Sequence, residues 1–411
     1  MRLFSFNTPH TPLTAKEDDL TFLRLIRSRR VGPATFHRLI SEHGSAAAAL
    51  DALPDIARQS GIDDYQPCPE GVAAAELKAG MKTGARLIRC DAPDYPALLR
   101  EISDAPPVIW IKGNMAALSR PTIAVIGARN ASSLGLRMAR GMTAGLAKAG
   151  VVTVAGLARG IDSAVHEASL KSGTIAVMAG GIDSIYPAEN KVLAAAICDQ
   201  GCLITEQPPG TEPIARHFPL RNRIIAGLSH GVVVVEAAVK SGSLITARDS
   251  LDQGREVMAV PGHPVDGRAG GCNQLIRDGA VLVRSAEDVI EALPILRDAL
   301  AAGDPGSGVP PGTAPRGTPT KASPKNTTRA GNAAPANRPT ASQPRLPLPH
   351  RGETMAQIES RVLSQLSPSP TEENVLIRDI GLPAAVLTPV ILRLELSGQL
   401  TRLAGGRLAL S

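Results

Sequence analysis

The chain has 411 residues, 44 Lys and Arg against 38 Asp and Glu for a formal charge of +6, and only 2% aromatic residues. That length accommodates two or three domains with at least one large core, and neither a membrane-length apolar stretch nor a cleavable apolar leader occurs, so a cytoplasmic protein away from membranes is expected. The cysteines Cys68, Cys90, Cys198, Cys202 and Cys272 form no CxxC pair or metal-ligand spacing and read as reduced core thiols, with neither metal nor cofactor expected.

In chain order, residues 14–85 are expected to be helical. The run "LTFLRLIRSRRVGPATFHRLISEHGSAAAALDAL" places apolar residues at helical spacing and is broken by "VGP" at Val31 to Pro33, the pattern of a helical hairpin within a domain spanning 1–85. Between Ser119 and Leu296 follow "TIAVIG", "VVTVAG", "TIAVMAGG", "CLITE", "GVVVVEA", "EVMAVPG" and "AVLVRS", mostly separated by helix-length segments. Runs apolar on both faces predict a doubly wound parallel-sheet α/β domain, Rossmann-like, over 86–298. Residues 299–352 are rich in Pro, Gly, Ser and Ala and predict a disordered linker. Between Ala301 and His350 its single acid, Asp304, stands against Arg316, Lys321, Lys325, Arg329, Arg338 and Arg345, so most of the net charge belongs to this stretch and says little about a folded surface. Over 353–411, helices near Met355–Leu366, Val375–Ile380 and Pro383–Ser397 precede "GQLTRLAGGRLALS", whose "GG" suggests a hairpin wing, giving a winged-helix domain.

A doubly wound sheet binds ligands beyond the carboxyl ends of its strands. Two acid-free windows, between Asp104 and Asp162 and between Glu212 and Glu236, should deliver cations to that edge: Arg129 and Arg159 on the turns, and the loop "ARHFPLRNR". In "AVIGARNASSLG", Gly127 allows a tight turn, and Ser132 and Ser133 open a helix whose amides suit a phosphate. Arg129 stands where a dinucleotide fingerprint needs glycine, which disfavours a pyrophosphate and favours bidentate contact with a single phosphate. "AGLARGIDSAVHEAS" repeats the scheme with Arg159, and there Asp162 reads as a helix N-cap and His166 as a packed or surface histidine. Arg221 and Arg223 fall at the expected start of a helix, where the macrodipole disfavours cations unless an anion binds. Phe218 beside them can stack a base, or be core, with Asn222 a cap. Lys240 with Ser241, Gly242 and Ser243 forms a further hydroxyl-and-amide cup. The absence of a G-x-x-x-x-G-K-[ST] loop excludes P-loop chemistry, whereas Glu206, Glu236 and Asp162 leave open an acid/base pair.

Together "AVIGARNASSLG", "AGLARGIDSAVHEASLKSGTIAVMAGGIDSIYP", "FPLRNRIIAGLS", "VVVVEAAVKSGSLITA" and "REVMAVPG" resemble, in order and spacing, the bacterial DNA-processing protein A family, also called DprA or Smf. The N-terminal hairpin resembles that family's SAM-like, helix-hairpin-helix-like module, and the C-terminal region its winged helix. The resemblance implies a non-catalytic protein that binds and protects single-stranded DNA during natural transformation and helps load the RecA recombinase, usually as a homodimer. It also implies phosphate contacts at Arg129 with Ser132 and Ser133, at Phe218, Arg221, Asn222 and Arg223, and at a basic residue before the phenylalanine, Arg216. A basic residue after "YP" is delayed here to Lys191.

The third helix of the winged-helix region, "PAAVLTPVILRLELSG", has only Arg393 as a cation and is apolar along most of its length, which favours protein docking over reading a duplex. Two rival functions remain open: a nucleotide or nucleoside-monophosphate hydrolase on a related scaffold, and a transcription regulator acting through the winged helix.

Overall fold

The computed structural model describes residues 18–297, 355–366, 371–403 and 407–410. The expected linker 299–352 and the wing turn at Gly405 and Gly406 lie outside them. Helices α1 (Asp19–Arg27), α2 (Pro33–His43), α3 (Ala46–Gln59) and α4 (Glu70–Lys82) open the fold. Asp18 caps α1 by accepting from the Thr21 amide at 2.8 Å, and α2 begins on Pro33, whose missing N–H costs nothing in a first turn. The "VGP" break is thus the α1–α2 turn, and Phe22, Leu25, Phe36, Leu39 and Ile40 fill the space between the helices.

The central domain runs β1 (Arg86–Arg89), α5 (Ala97–Arg100), β2 (Val108–Gly113), β3 (Thr122–Ile126), α6 (Ser133–Lys148), β4 (Val152–Ala155), α7 (Ile161–Ser169), β5 (Thr174–Val177), α8 (Lys191–Gln200), β6 (Cys202–Thr205), α9 (His217–Gly227), β7 (Gly231–Val234), α10 (Ser243–Asp252), β8 (Glu256–Ala259), α11 (Gly270–Arg277), β9 (Val281–Leu282) and α12 (Ala286–Ala292). Its nine-stranded sheet has the order β1-β2-β6-β5-β4-β3-β7-β8-β9. All seven apolar runs are strands and pair in parallel, while β1 and β2 add an antiparallel edge that the sequence reading did not foresee.

From β3 the chain winds outward through β4, β5 and β6, then returns to β7 on the other side, so the switch point lies between β3 and β7. Successive β3 residues face opposite layers: Ala124 and Ile126 lie in the core that includes Ile224 and Ile225 of α9 and Ala247 of α10, Ile123 and Val125 in the core with α6, α7 and α12. Both faces are covered, which is why these strands read as continuous apolar runs.

A third unit comprises α13 (Met355–Gln365), β10 (Thr371–Glu372), α14 (Glu373–Ile380), α15 (Ala384–Ser397), β11 (Leu400–Leu403) and β12 (Arg407–Leu410). Its sheet has the order β10-β12-β11, giving the expected winged helix one strand more than foreseen.

Candidate functional site

The crevice at the switch point is already filled. Glu236, just past β7, is buried, and its Oε2 accepts the Ser132 amide at 2.8 Å, while Ser132 Oγ accepts from Gly135 N at 2.9 Å as the N-cap of α6. Gly127 packs against Ile161 and the Glu236 backbone. The helix start expected to take a phosphate through Ser132 therefore takes the chain's own carboxylate, which satisfies the amide and complements the dipole. Ser133, exposed, follows as the first residue of α6.

Asp162 is not an N-cap either. Gly160 occupies that position, with φ 76° and a missing Cβ that would otherwise lie 2.4 Å from the Ala128 carbonyl, which lets the β3–α6 and β4–α7 loops touch. The Asp162 carboxylate turns inward and accepts the amides of Gly156 at 2.9 Å and Ala158 at 3.3 Å. Burial pushes its carboxyl up, against the pull of Arg221 and the two amides. His166 is fully buried, bonded through Nδ1 to Thr174 Oγ1 at 2.9 Å and pushed by burial to about 3, the reading of a packed histidine.

The "RNR" segment departs furthest from expectation. Helix α9 starts at His217 with Arg216 as N-cap residue, so Arg221, Asn222 and Arg223 lie in its middle rather than its first turn. Arg221 is 5% exposed and donates to the carbonyls of Gly156 and Val177, in space left by the missing side chain of Gly156. Burial pulls it down to about 10. Asn222 accepts from Arg221 Nε at 3.2 Å and is not a cap. Arg223 is 3% exposed and bonds Glu206, Asp104 and the Asp104 carbonyl. These arginines do not face solvent: they tie α9 to strand ends and to the loop before β2.

A different set meets at the carboxyl rim. Arg129 is exposed, its guanidinium carbon lies 4.9 Å from the centre of the Phe218 ring, and no carboxylate pairs with it among the described residues. Phe218 is half-buried and meets Tyr186 edge-on, with ring centres 5.7 Å apart; Tyr186 is 52% exposed. These three, with Gly156, Ala158, Arg159 and Pro187, line a cleft of about 40 Å³. Mononucleotide-sized ligands need roughly 300 Å³ or more, so a base can lie across this rim but not within it.

Arg159 joins the cleft but forms an exposed ion pair with Glu189 at 2.6 Å, so its surroundings are less acid-free than the sequence implies. Arg216, Lys191 and Lys240 are exposed. Ser241 and Ser243 bond each other through their hydroxyls at 2.7 Å, and Asn222 Nδ2 reaches the Gly242 carbonyl at 3.5 Å, which sets the "KSGS" loop beside α9. Tyr186 was missed by the sequence reading; an aromatic following a strand, in a chain with three tyrosines, was the available signal. Glu206 pairs with Arg223, Glu236 with Ser132 and Asp162 with two amides, so none of the three is free to act with another in the cleft.

Residues 86–294 match the family described as "DNA recombination-mediator protein A", residues 16–79 a "DprA-like N-terminal HHH domain" and residues 335–406 a "DprA winged helix domain". The chain is 44% identical over 247 residues to the DNA processing protein DprA of Bacillus subtilis, covering 59% of this chain and 82% of that one. It is 46% identical over 198 residues to DprA of Streptococcus pneumoniae, covering 48% and 70%. The X-ray structure of the S. pneumoniae protein superposes with a TM-score of 0.55 at 34% identity, over 67% of this chain and 97% of that one.

Proposed function

The chain belongs to the DNA recombination-mediator protein A family and serves DNA processing and recombination, and from that premise we propose that it grips single-stranded DNA at the rim formed by Arg129, Phe218 and Tyr186. The observation that carries this reading is the Arg129–Phe218 pair beside an exposed Tyr186, above a cleft too small to enclose a nucleotide. A strand needs what this rim offers: aromatic faces on which bases stack and a cation for the backbone between them. Arg216 and Lys240, and Arg159 once Glu189 gives way, extend the positive rim along which phosphates run; Ser133, Ser241 and Ser243 supply hydroxyls beside it. Arg221, Asn222 and Arg223 act from beneath, holding α9 so that Phe218 stays at the edge. The role is non-catalytic: protecting incoming single strands during natural transformation and helping to load RecA, as a homodimer in the cytoplasm.

The test is a titration of labelled single- and double-stranded oligonucleotides at several salt concentrations, with nucleotide hydrolysis assayed in parallel. Single strands should bind in preference to duplex, and Phe218→Ala should weaken them by about 1–3 kcal/mol, roughly 5- to 150-fold. Arg129→Ala should lower the slope of log K against log salt by about 0.7. Nucleotide turnover, or single-strand affinity indifferent to both substitutions, would overturn the reading.

A further inference from the structure

Helix α15 is apolar almost all round, and the structure explains why: both of its faces are buried. Leu387, Val390, Ile391 and Leu394 fill the core of the winged helix. Leu392 and Leu396 lie instead in the core that runs through the N-terminal helices, where α15 packs on α3. Around that second face sits a polar clasp. Arg38 of α2 donates to Glu395 at 3.0 Å and to the Thr388 carbonyl at 3.2 Å. Arg30, in the α1–α2 turn, is held at φ 63°, a left-handed backbone that a side chain rarely adopts, and its guanidinium reaches the Leu396 carbonyl. That carbonyl belongs to the last turn of α15, where the helix dipole attracts a cation.

We infer that the outer face of α15 is a docking face whose occupant is the chain's own N-terminal helical domain, and that it is not a surface for duplex DNA. In a winged helix that reads a duplex, the corresponding helix enters the major groove and needs free cations there. Here the cations are committed. Arg393 pairs with Glu359 at 3.1 Å, and Arg402 of β11 binds both Glu373 and Glu395 at 2.6 Å. Glu395, buried between Arg38 and Arg402, puts an acid on the face that a phosphate backbone would approach. Leucines flanking one buried acid complement a helix pair that presents an arginine, which is what α2 and α3 supply. This assignment is independent of the single-strand rim: the residues of the clasp, Arg30, Arg38, Glu395 and Leu396, are not among those that line the cleft.

The experiment uses the full chain and the double variant Arg38→Ala, Leu396→Asn, followed by hydrogen exchange, small-angle scattering and titration with a duplex oligonucleotide. Leu396 lies outside the winged-helix core, so α13 should keep its protection. The expected result is at least tenfold faster exchange in α15 and α2, a larger radius of gyration, and duplex affinity changed by less than twofold. Arg38→Ala alone, which leaves the winged-helix domain untouched, should speed exchange in the same two helices and reads the contact if the double variant fails to fold. Unchanged exchange and size in the folded variants would show that the contact is not held in solution and overturn the inference. A several-fold gain in duplex affinity on release would equally overturn it, by making α15 a reader of DNA.

Discussion

The β3–α6 turn and the middle of α9 carry the same side chain at one edge of one sheet and use it in opposite ways. Arg129 stands in solvent over an aromatic ring. Arg223 is 3% exposed and holds two carboxylates from distant loops. Chain position alone brings an arginine to the carboxyl edge; whether it meets a ligand or a neighbour depends on which acids the fold brings alongside. Substitution should separate the two. Arg223→Ala leaves Glu206 and Asp104 partly buried without their cation and should cost about 3–5 kcal/mol in urea unfolding. Arg129→Ala should change stability by no more than about 0.5 kcal/mol. If Arg223→Ala left stability intact and removed DNA binding, the contrast would be wrong.

The interior side of the comparison sharpens further at Asp249. This carboxyl is 5% exposed, its Oδ2 has no hydrogen-bond partner, and burial pushes it up to about 7, helped by the charges of Asp104 and Asp252 and opposed by Arg223 and Arg407. The folded chain keeps a proton that the unfolded chain releases above about 3.8. Native stability therefore falls as pH rises from near 4 to 7 and levels off above that. Asp249→Asn removes the penalty, so it should stabilise by up to roughly 4 kcal/mol at pH 8, with the gain fading toward pH 4. Denaturation midpoints at the two pH values give the answer; a gain independent of pH would mean that the group is ionised in the fold.

The strands, the helical hairpin and the winged-helix pattern were legible because apolar periodicity and turn residues act locally. Acid-free windows proved a poorer guide, since a window in sequence is not a window in space. Asp104, the acid that borders the first window, pairs with Arg223 from the second. Asp162, at the first window's other border, faces Arg221 from the second. Glu236, which closes the second, caps α6 inside the first. Three of the four border acids fold across to the other stretch, and two of them meet arginines that looked unopposed; the fourth, Glu212, accepts from the Ser184 hydroxyl. Arg129 escapes because its loop ends at the rim, where Phe218 and Tyr186 rather than carboxylates surround it.

Glu236 gives the smallest effect and the finest discrimination. Its carboxylate meets the first turn of α6, a position where a negative charge contributes about 0.3–1 kcal/mol, up to roughly 2 when partly buried. Gln keeps an acceptor for the Ser132 amide and loses only the charge, so Glu236→Gln should cost about 1 kcal/mol in unfolding free energy. Because the contact is buried, that cost should vary little with salt, unlike DNA binding at the rim. Single-strand affinity should stay within about twofold of wild type, since the carboxylate accepts the Ser132 amide with one oxygen and lies 3.9 Å from Arg268 Nε with the other. A large loss of affinity at unchanged stability would move Glu236 from the interior to the rim, and with it the division between arginines that bind and arginines that hold.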